Sequence, residues 1–286
     1  MNAKTNSNTG SEAHTADEAP AADNPTRTSR LTKTVVLIHG AWMTSASWDN
    51  FRGALEAAGY TVHAPTWPLL DRGTAAELRA NPPEGLGRLT AGAIADHYAR
   101  FIETLPEKPL IIGHSMGGLV TQLLLDRGYG VAGVALDPGP IAGVIADPLS
   151  LGAAFPVLAR WNAWNRPYTL SKAQFDARFA NTAPAALREE AYENYMVPTS
   201  GRLFAQVATG FGTRVNPKRR TQPLLITAAE KDRTVAPALS RAIFRKQKKS
   251  PARTDFVEFP GLSHFLAAEP GYEKVADYVI EWARSL

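Results

Sequence analysis

Residues 110–118 constrain this chain more than any other stretch, because they join a short apolar run to an apolar helical segment through a tight turn. They read Leu-Ile-Ile-Gly-His-Ser-Met-Gly-Gly, with glycines two residues before and two residues after Ser115. A G-x-S-x-G pattern between a strand and a helix is typical of a turn that holds its serine in a strained conformation. The serine hydroxyl then stands at the positive end of the following helix. We therefore predict Ser115 to be a nucleophile.

The rest of the chain after residue 33 alternates between short apolar runs and helical periods. Strands are predicted over 34–38, 60–65, 109–112, 131–136, 223–228 and 254–259. Helices are predicted over 48–59, 89–105, 236–247 and 272–284, and residues 66–88 are predicted to form a long loop. Continuous apolar strands separated by helices indicate a mostly parallel sheet flanked by helices, which is an α/β fold.

A long segment interrupts this alternation after the strand that ends near Asp137. Residues 138–220 are Ala-rich, hold several prolines and show no convincing strand. We expect a helical cap over approximately 138–220, inserted in one domain that spans 34–286 and lying over the active edge of the sheet. Residues 1–33 carry almost no large apolar side chain and are predicted to be a disordered tail.

A serine nucleophile needs a base and an acid that orients the base. His264 follows the last predicted strand and precedes the last helix, which places it at the carboxyl edge of the sheet. We predict it to be the base. Asp232, in the loop after the strand over 223–228, is the predicted acid. Glu230 and Asp137 occupy similar positions after strands and remain rivals for this role.

The oxyanion of such a reaction needs backbone donors. One is expected from the amide of Met116, after the serine, and the other from the amide of Ala41, in the loop after the first strand. Aromatic residues are expected to give the pocket an apolar lining. The pocket candidates are Trp42, Trp67, Trp161 and Trp164.

Three motifs together carry a resemblance to a known superfamily. These are Leu-Ile-His-Gly-Ala over 37–41 with Ser-Trp over 47–48, Gly-His-Ser-Met-Gly-Gly over 113–118, and Ala-Glu-Lys-Asp over 229–232. On them the chain after residue 33 resembles the α/β-hydrolase superfamily, and within it the plant methylesterase and hydroxynitrile lyase branch and its bacterial esterase relatives. The resemblance implies Ser115, Asp232 and His264 as a catalytic triad, with Ala41 and Met116 supplying the oxyanion hole.

We therefore expect a serine hydrolase that cleaves a carboxylic ester or lactone of a medium-sized apolar or aromatic small molecule. Three alternatives stay open. The first is a hydroxynitrile-lyase-like enzyme, for which a lysine near the base is typical. The second is a C–C bond hydrolase or perhydrolase on the same triad, and the third is a catalytically weak ligand receptor.

Composition limits the partners of the chain. The net charge of +4 is mild, and the cluster Lys246, Lys248 and Lys249 has no aromatic or glycine-rich neighbours, so we expect no nucleic acid. The chain has no cysteine and no clustered metal-ligand spacing, so neither a metal nor a cofactor is expected. Without an apolar run of about 18 residues we expect no membrane span and a cytoplasmic location. A homodimer is compatible with this interpretation.

Overall fold

The computed structural model describes residues 31–286. The predicted tail lies, over residues 1–30, outside the described residues. Eight strands are present in the described part of the chain: β1 Thr34–Ile38, β2 Thr61–His63, β3 Leu110–His114, β4 Ala132–Leu136, β5 Pro167–Tyr168, β6 Thr199–Ser200, β7 Leu224–Ala229 and β8 Thr254–Phe259. Six of them form one sheet in the order β2-β1-β3-β4-β7-β8, and every neighbouring pair in it is parallel. The predicted parallel α/β fold is confirmed.

Helices cover both faces of this sheet. Their bounds are α1 Asp49–Ala57, α2 Ala75–Ala80, α3 Ala91–Glu103, α4 Met116–Asp126, α5 Pro148–Leu158, α6 Lys172–Gln174, α7 Ala185–Tyr195, α8 Gly201–Thr209, α9 Pro237–Gln247 and α10 Tyr272–Arg284. A π-helical turn over Phe175–Phe179 follows α6. No helix of residues 31–286 combines the length and the apolar character needed to cross a membrane.

The alternation of side chains along β1 divides the core into two parts. Val35 and Leu37 face α1 and α10, whereas Val36 and Ile38 belong to the cluster that contains α3, α4 and α9. All of β1, β3 and β4 is buried, which is why these strands read as continuous apolar runs. Their shared direction places the carboxyl ends of β1, β3, β4, β7 and β8 at one edge of the sheet.

The segment between β4 and β7 contains α5 to α8 and has no strand in the main sheet. It is not entirely helical, because β5 and β6 pair antiparallel through Tyr168 and Thr199. Two-residue strands leave no periodic signal in a sequence, since only the distant partner defines them.

The predicted loop over 66–88 is also more ordered than expected. It contains α2, whose first turn is closed by a capping box in which Thr74 and Glu77 each accept from the other's backbone amide. A 3₁₀ turn over Leu86–Arg88 follows. The helix was not predicted because the segment is rich in Pro and Gly and the helix has only six residues.

The tight packing around Gly113, two residues before Ser115, can be tested by substitution. A Cβ on Gly113 would lie 2.1 Å from the carbonyl oxygen of Gly117 and 2.3 Å from Oγ1 of Thr121. Gly113→Ala is therefore expected to lower the free energy of unfolding by about 3 kcal/mol or more, measured by urea denaturation. Gly53→Ala is the matched control, because Gly53 lies exposed in α1 with nothing within 4 Å of its added Cβ. It should raise stability by about 0.5–1 kcal/mol. Equal effects at the two positions would contradict the tight packing at β3.

Candidate active site

Ser115 lies between β3 and α4 and has the backbone angles φ 56° and ψ −119°. A positive φ is strained for a residue with a Cβ, and such strain persists only where the surroundings enforce it. Here the enforcing contact is close packing of α4 on the sheet, since a Cβ on Gly117 would lie 2.1 Å from the carbonyl oxygen of Ile38. The serine is thereby held at the amino end of α4, where the helix dipole favours negative charge.

The loop after β1 lies directly against this serine. A Cβ on Gly40 would come within 2.9 Å of Cβ of Ser115, so only glycine lets the loop approach so closely. The next residue is the buried Ala41, and Trp42 follows it in the left-handed region with φ 66°. The predicted oxyanion loop and the predicted nucleophile are therefore neighbours. Met116 is the first residue of α4, where a backbone amide has no acceptor within the helix.

Three contacts outside the sheet hold the loop after β1 in place. The backbone oxygen of Trp42 accepts a hydrogen bond from the amide of Val197 at 2.9 Å. The indole Nε1 of Trp42 donates to the carbonyl of Tyr168 at 3.1 Å. On the other side, Nε2 of His39 accepts from the amide of Trp67 at 3.1 Å and the two rings stack. The segment between β4 and β7, which is the predicted cap, thus holds the loop that is predicted to supply an oxyanion donor.

His264 and Asp232 are joined by a buried hydrogen bond. Nδ1 of His264 donates to Oδ2 of Asp232 at 2.5 Å, and both side chains are inaccessible to solvent. Oδ1 of Asp232 accepts from the amides of Thr234 and Val235 at 2.7 and 2.8 Å. The carboxylate is therefore fixed, and it orients the imidazole in turn.

The other ring nitrogen of His264, Nε2, is buried and has no hydrogen-bond partner among the described residues. The centroid of the imidazole ring is 4.6 Å from that of His114, the residue before Ser115. Catalytic hydrogen bonds are often long in structures without substrate and tighten when substrate binds.

A second carboxyl group, Asp137, completes this cluster. It follows β4 with φ 44° and is fully buried; Oδ1 accepts from Oγ1 of Thr227 and Oδ2 from the amide of Ala229, both at 2.9 Å. Donor atoms of Asp137, Asp232 and His264 lie within 4.8 Å of one another. Because these oxygens are already engaged in hydrogen bonds, the group is a hydrogen-bonded network rather than a ready set of metal ligands.

The third candidate acid lies apart from this network. The carboxylate of Glu230 accepts from the amide of Gly261 and pairs with Nζ of Lys231 at 2.8 Å, at the surface. Lys231, the residue before Asp232, is therefore directed to solvent. It does not supply the basic group that the lyase alternative requires near the histidine.

Glu269 lies at the candidate site but was not predicted, because its one signal in the sequence is a carboxylate five residues after the histidine. It is buried, and its carboxylate accepts from the amide and hydroxyl of Ser263 at 2.5 and 3.0 Å. It also accepts from Oγ1 of Thr182, a residue of the segment between β4 and β7, at 2.6 Å. Glu269 thus ties the loop that holds His264 to the cap.

Ser115 opens onto a cavity of about 330 Å³ between the sheet edge and the cap. The lining is mostly apolar and comes from the loop after β4, from α5 and from α8. Of the four tryptophans expected to line it, Trp42 does so. Trp67 is instead buried against His39, and Trp161 and Trp164 lie exposed on the cap. A sequence pattern does not give the direction in which such side chains point.

Comparison with known proteins agrees with this fold. A model of the alpha/beta hydrolase family matches residues 35–278. The chain belongs to the alpha/beta hydrolase family. A search of curated protein sequences gave no match.

Solved structures similar to this hydrolase share its fold at low sequence identity. A monoacylglycerol lipase from Paleococcus ferrophilus superimposes with a TM-score of 0.66 at 23% identity, covering 88% of this chain and 94% of that one. A pyrethroid hydrolase from Sphingobium faniae gives 0.64 at 19%, covering 88% and 97%. A methylesterase from Arabidopsis gives 0.62 at 13%, covering 89% and 100%.

Burial determines the protonation states in this hydrolase. It lowers the pKa of His264 from 6.5 to about 4, so the imidazole is neutral at neutral pH and able to accept a proton. Burial, together with repulsion from Asp232, raises the pKa of Asp137 well above its usual value. Asp137 is therefore the protonated partner. Burial raises the pKa of Asp232, and the hydrogen bonds that its carboxylate accepts from Asp137 and from the amides of Val235 and Thr234 oppose this rise.

The lowered pKa of His264 predicts the acid limb of the pH profile. With an ester that does not ionise, kcat/KM of the free hydrolase should rise with pH through about 4 and be level above 6.5. The free energy of unfolding should also increase with pH. A lowered histidine pKa contributes stability that is complete above pH 6.5 and is lost as the pH falls through about 4. Circular dichroism at each pH separates titration from unfolding. An acid limb at 6.5 or above, with the fold intact, would contradict the prediction.

Proposed function

We propose that this chain is a serine hydrolase that cleaves a carboxylic ester or lactone through Ser115, His264 and Asp232. The observation that carries the proposal is the buried hydrogen bond between His264 and Asp232 at the sheet edge where Ser115 opens into the cavity. A neutral imidazole fixed by a carboxylate is the base that a serine hydroxyl requires. The similar structures are those of a lipase, a pyrethroid hydrolase and a methylesterase, and these names support ester cleavage.

In the proposed reaction, Nε2 of His264 takes the proton of Ser115 while Oγ attacks the carbonyl carbon. The amides of Ala41 and Met116 stabilise the negative charge that develops on the carbonyl oxygen. The intermediate collapses, the alcohol leaves with the proton from Nε2, and an acyl-enzyme remains. Water then loses a proton to the same nitrogen and attacks the acyl group. Nε2 returns this proton to Oγ of Ser115 as the carboxylic acid leaves, which regenerates the serine.

The cavity supports an apolar substrate of moderate size. A volume of about 330 Å³ is at the lower end of the range for small-molecule sites. Its walls include Ile141, Val144, Leu158 and Phe204, and no charged side chain lies among its lining residues. A charged acyl group would lose its hydration there without gaining a partner.

The nucleophile is tested by substitution and by covalent labelling. Ser115→Ala should fold normally and lose on the order of 10⁵–10⁶ in kcat, because no other group supplies the attacking oxygen. A fluorophosphonate should label the unmodified protein on the peptide that contains Ser115, as identified by mass spectrometry.

Ser285→Ala is the control for the loss of a serine hydroxyl, since Ser285 lies after α10 and does not line the cavity. Its hydroxyl donates to the carbonyl of Trp282 and accepts from Arg253. It should keep full activity and labelling. Label on a different serine, or esterase activity that survives in Ser115→Ala, would overturn the proposal.

The size of the cavity is tested by filling it. Ala154 lies on α5 and lines the cavity, so Ala154→Trp should lower kcat/KM for a long p-nitrophenyl acyl ester on the order of tenfold while p-nitrophenyl acetate is affected much less. Ala159→Trp is the matched control, because Ala159 is exposed just after α5 and does not line the cavity. A uniform loss for both esters in Ala154→Trp would place the acyl group elsewhere.

A further inference from the structure

The outer surface of the cap exposes large apolar side chains that a soluble surface rarely groups together. Exposure reaches 90% for Ile145, 67% for Phe155, 88% for Trp161 and 78% for Phe211. Leu149, Leu151 and Trp164 are also exposed. We call these seven residues the apolar cap face.

The segments that carry the apolar cap face pack on one another. Leu151 and Phe155 lie one turn apart on α5, and α5 packs against α8 and the turn over Ala163–Asn165. Phe211 follows Gly210, whose added Cβ would lie 3.2 Å from Ala142 in the loop that carries Ile145.

The apolar cap face also borders the cavity. Ile145 and Leu151 are exposed on their outer side and belong to the lining of the cavity on their inner side. An apolar molecule that leaves the face at this point therefore enters the cavity that contains Ser115 without crossing a polar surface.

The composition of α5 is unusual for a helix at a water-exposed surface. Its eleven residues, Pro-Leu-Ser-Leu-Gly-Ala-Ala-Phe-Pro-Val-Leu, include no charged side chain, so it has no polar outer face. At about 1.5 Å per residue it is also far too short to span a bilayer. A helix of this kind fits the boundary between water and an apolar phase.

Basic side chains border this surface. Arg202 donates to the carbonyl of Trp164, Nζ of Lys246 to the carbonyl of Ala142, and Arg160 to the carbonyl of Pro167. None of the three forms an ion pair within residues 31–286. Arg166 is exposed beside them.

Acidic groups are scarce at the same border. Over 139–170 and 201–214 the one acidic residue is Asp147, whose carboxylate is used to cap α5. The acidic residues of α7 lie apart from this border, because α7 packs against α2. The border of the apolar cap face is therefore positively charged.

We propose that the apolar cap face docks on an anionic lipid surface, from which a lipophilic ester enters the cavity. The basic border complements anionic headgroups, and exposed tryptophans suit the headgroup boundary. A second copy of the chain on this face would bring two basic borders together and would close the entrance to the cavity. Docking does not depend on the proposed chemistry, whereas the delivery of an ester rests on the proposed function.

The test uses the full chain as Ser115→Ala, so that binding is measured without turnover. Sedimentation should show binding to vesicles of phosphatidylcholine mixed with phosphatidylglycerol, and weaker binding to phosphatidylcholine alone or at high salt. Adding Phe155→Ser and Trp161→Ser should weaken binding by about tenfold or more. Arg166→Gln should weaken binding to the anionic vesicles about fivefold and leave binding to phosphatidylcholine unchanged.

The matched control is Tyr278→Ser, which removes an exposed aromatic side chain on α10 rather than on the cap, and it should leave vesicle binding unchanged. In the chain that retains Ser115, Phe155→Ser with Trp161→Ser should leave kcat/KM for dissolved p-nitrophenyl acetate unchanged. It should lower the rate on a long-chain ester carried in anionic vesicles.

Two results would overturn the docking proposal. One is the absence of binding to anionic vesicles. The other is a dimer, detected by light scattering, that Phe155→Ser with Trp161→Ser dissociates, since the face would then be covered by a second copy. Vesicle binding without any esterase activity would instead refute the proposed function and leave docking in place.

Discussion

The close approach of two backbone segments at the end of β3 is the constraint on which the rest of the site depends. Helix α4 packs so tightly on the sheet that a Cβ at Gly117 would collide with the carbonyl of Ile38, and Ser115 is held at φ 56° as a result. The same packing brings the loop with Gly40 against the serine. Strain at one residue is tolerated because the buried strand β3 and the buried helix α4 fix the two ends of the turn.

Buried charge is the second organising feature. Asp137, Asp232 and His264 are removed from water, and each such group would be costly to bury alone. The cost is offset by a proton on Asp137, by amide donors to Asp232 and by the hydrogen bond to His264. Since Glu269 ties the histidine loop to the cap through Thr182, the site and the cap are mechanically connected.

The cap has two apolar surfaces with different roles. Its inner surface closes the cavity over Ser115 and supports the loop that contains Trp42. Its outer surface leaves Phe155 and Trp161 in contact with solvent. Helix α5 contributes to both surfaces and carries no charged residue, so composition alone could not divide its apolar side chains between the cavity and the exterior.

Local pattern determined the sheet, the serine turn and the order of the chemical groups, because hydrophobic period and glycine spacing act between residues close in sequence. It placed Asp137 and Asp232 in equivalent positions and left the choice between them open. Tertiary structure decided between them: Asp232 hydrogen-bonds to His264, whereas Asp137, after β4, accepts a hydrogen bond from Thr227 of β7. It also turned Trp67 into the core and Trp161 to solvent. These outcomes depend on contacts between distant segments, and no period in a single sequence records such contacts.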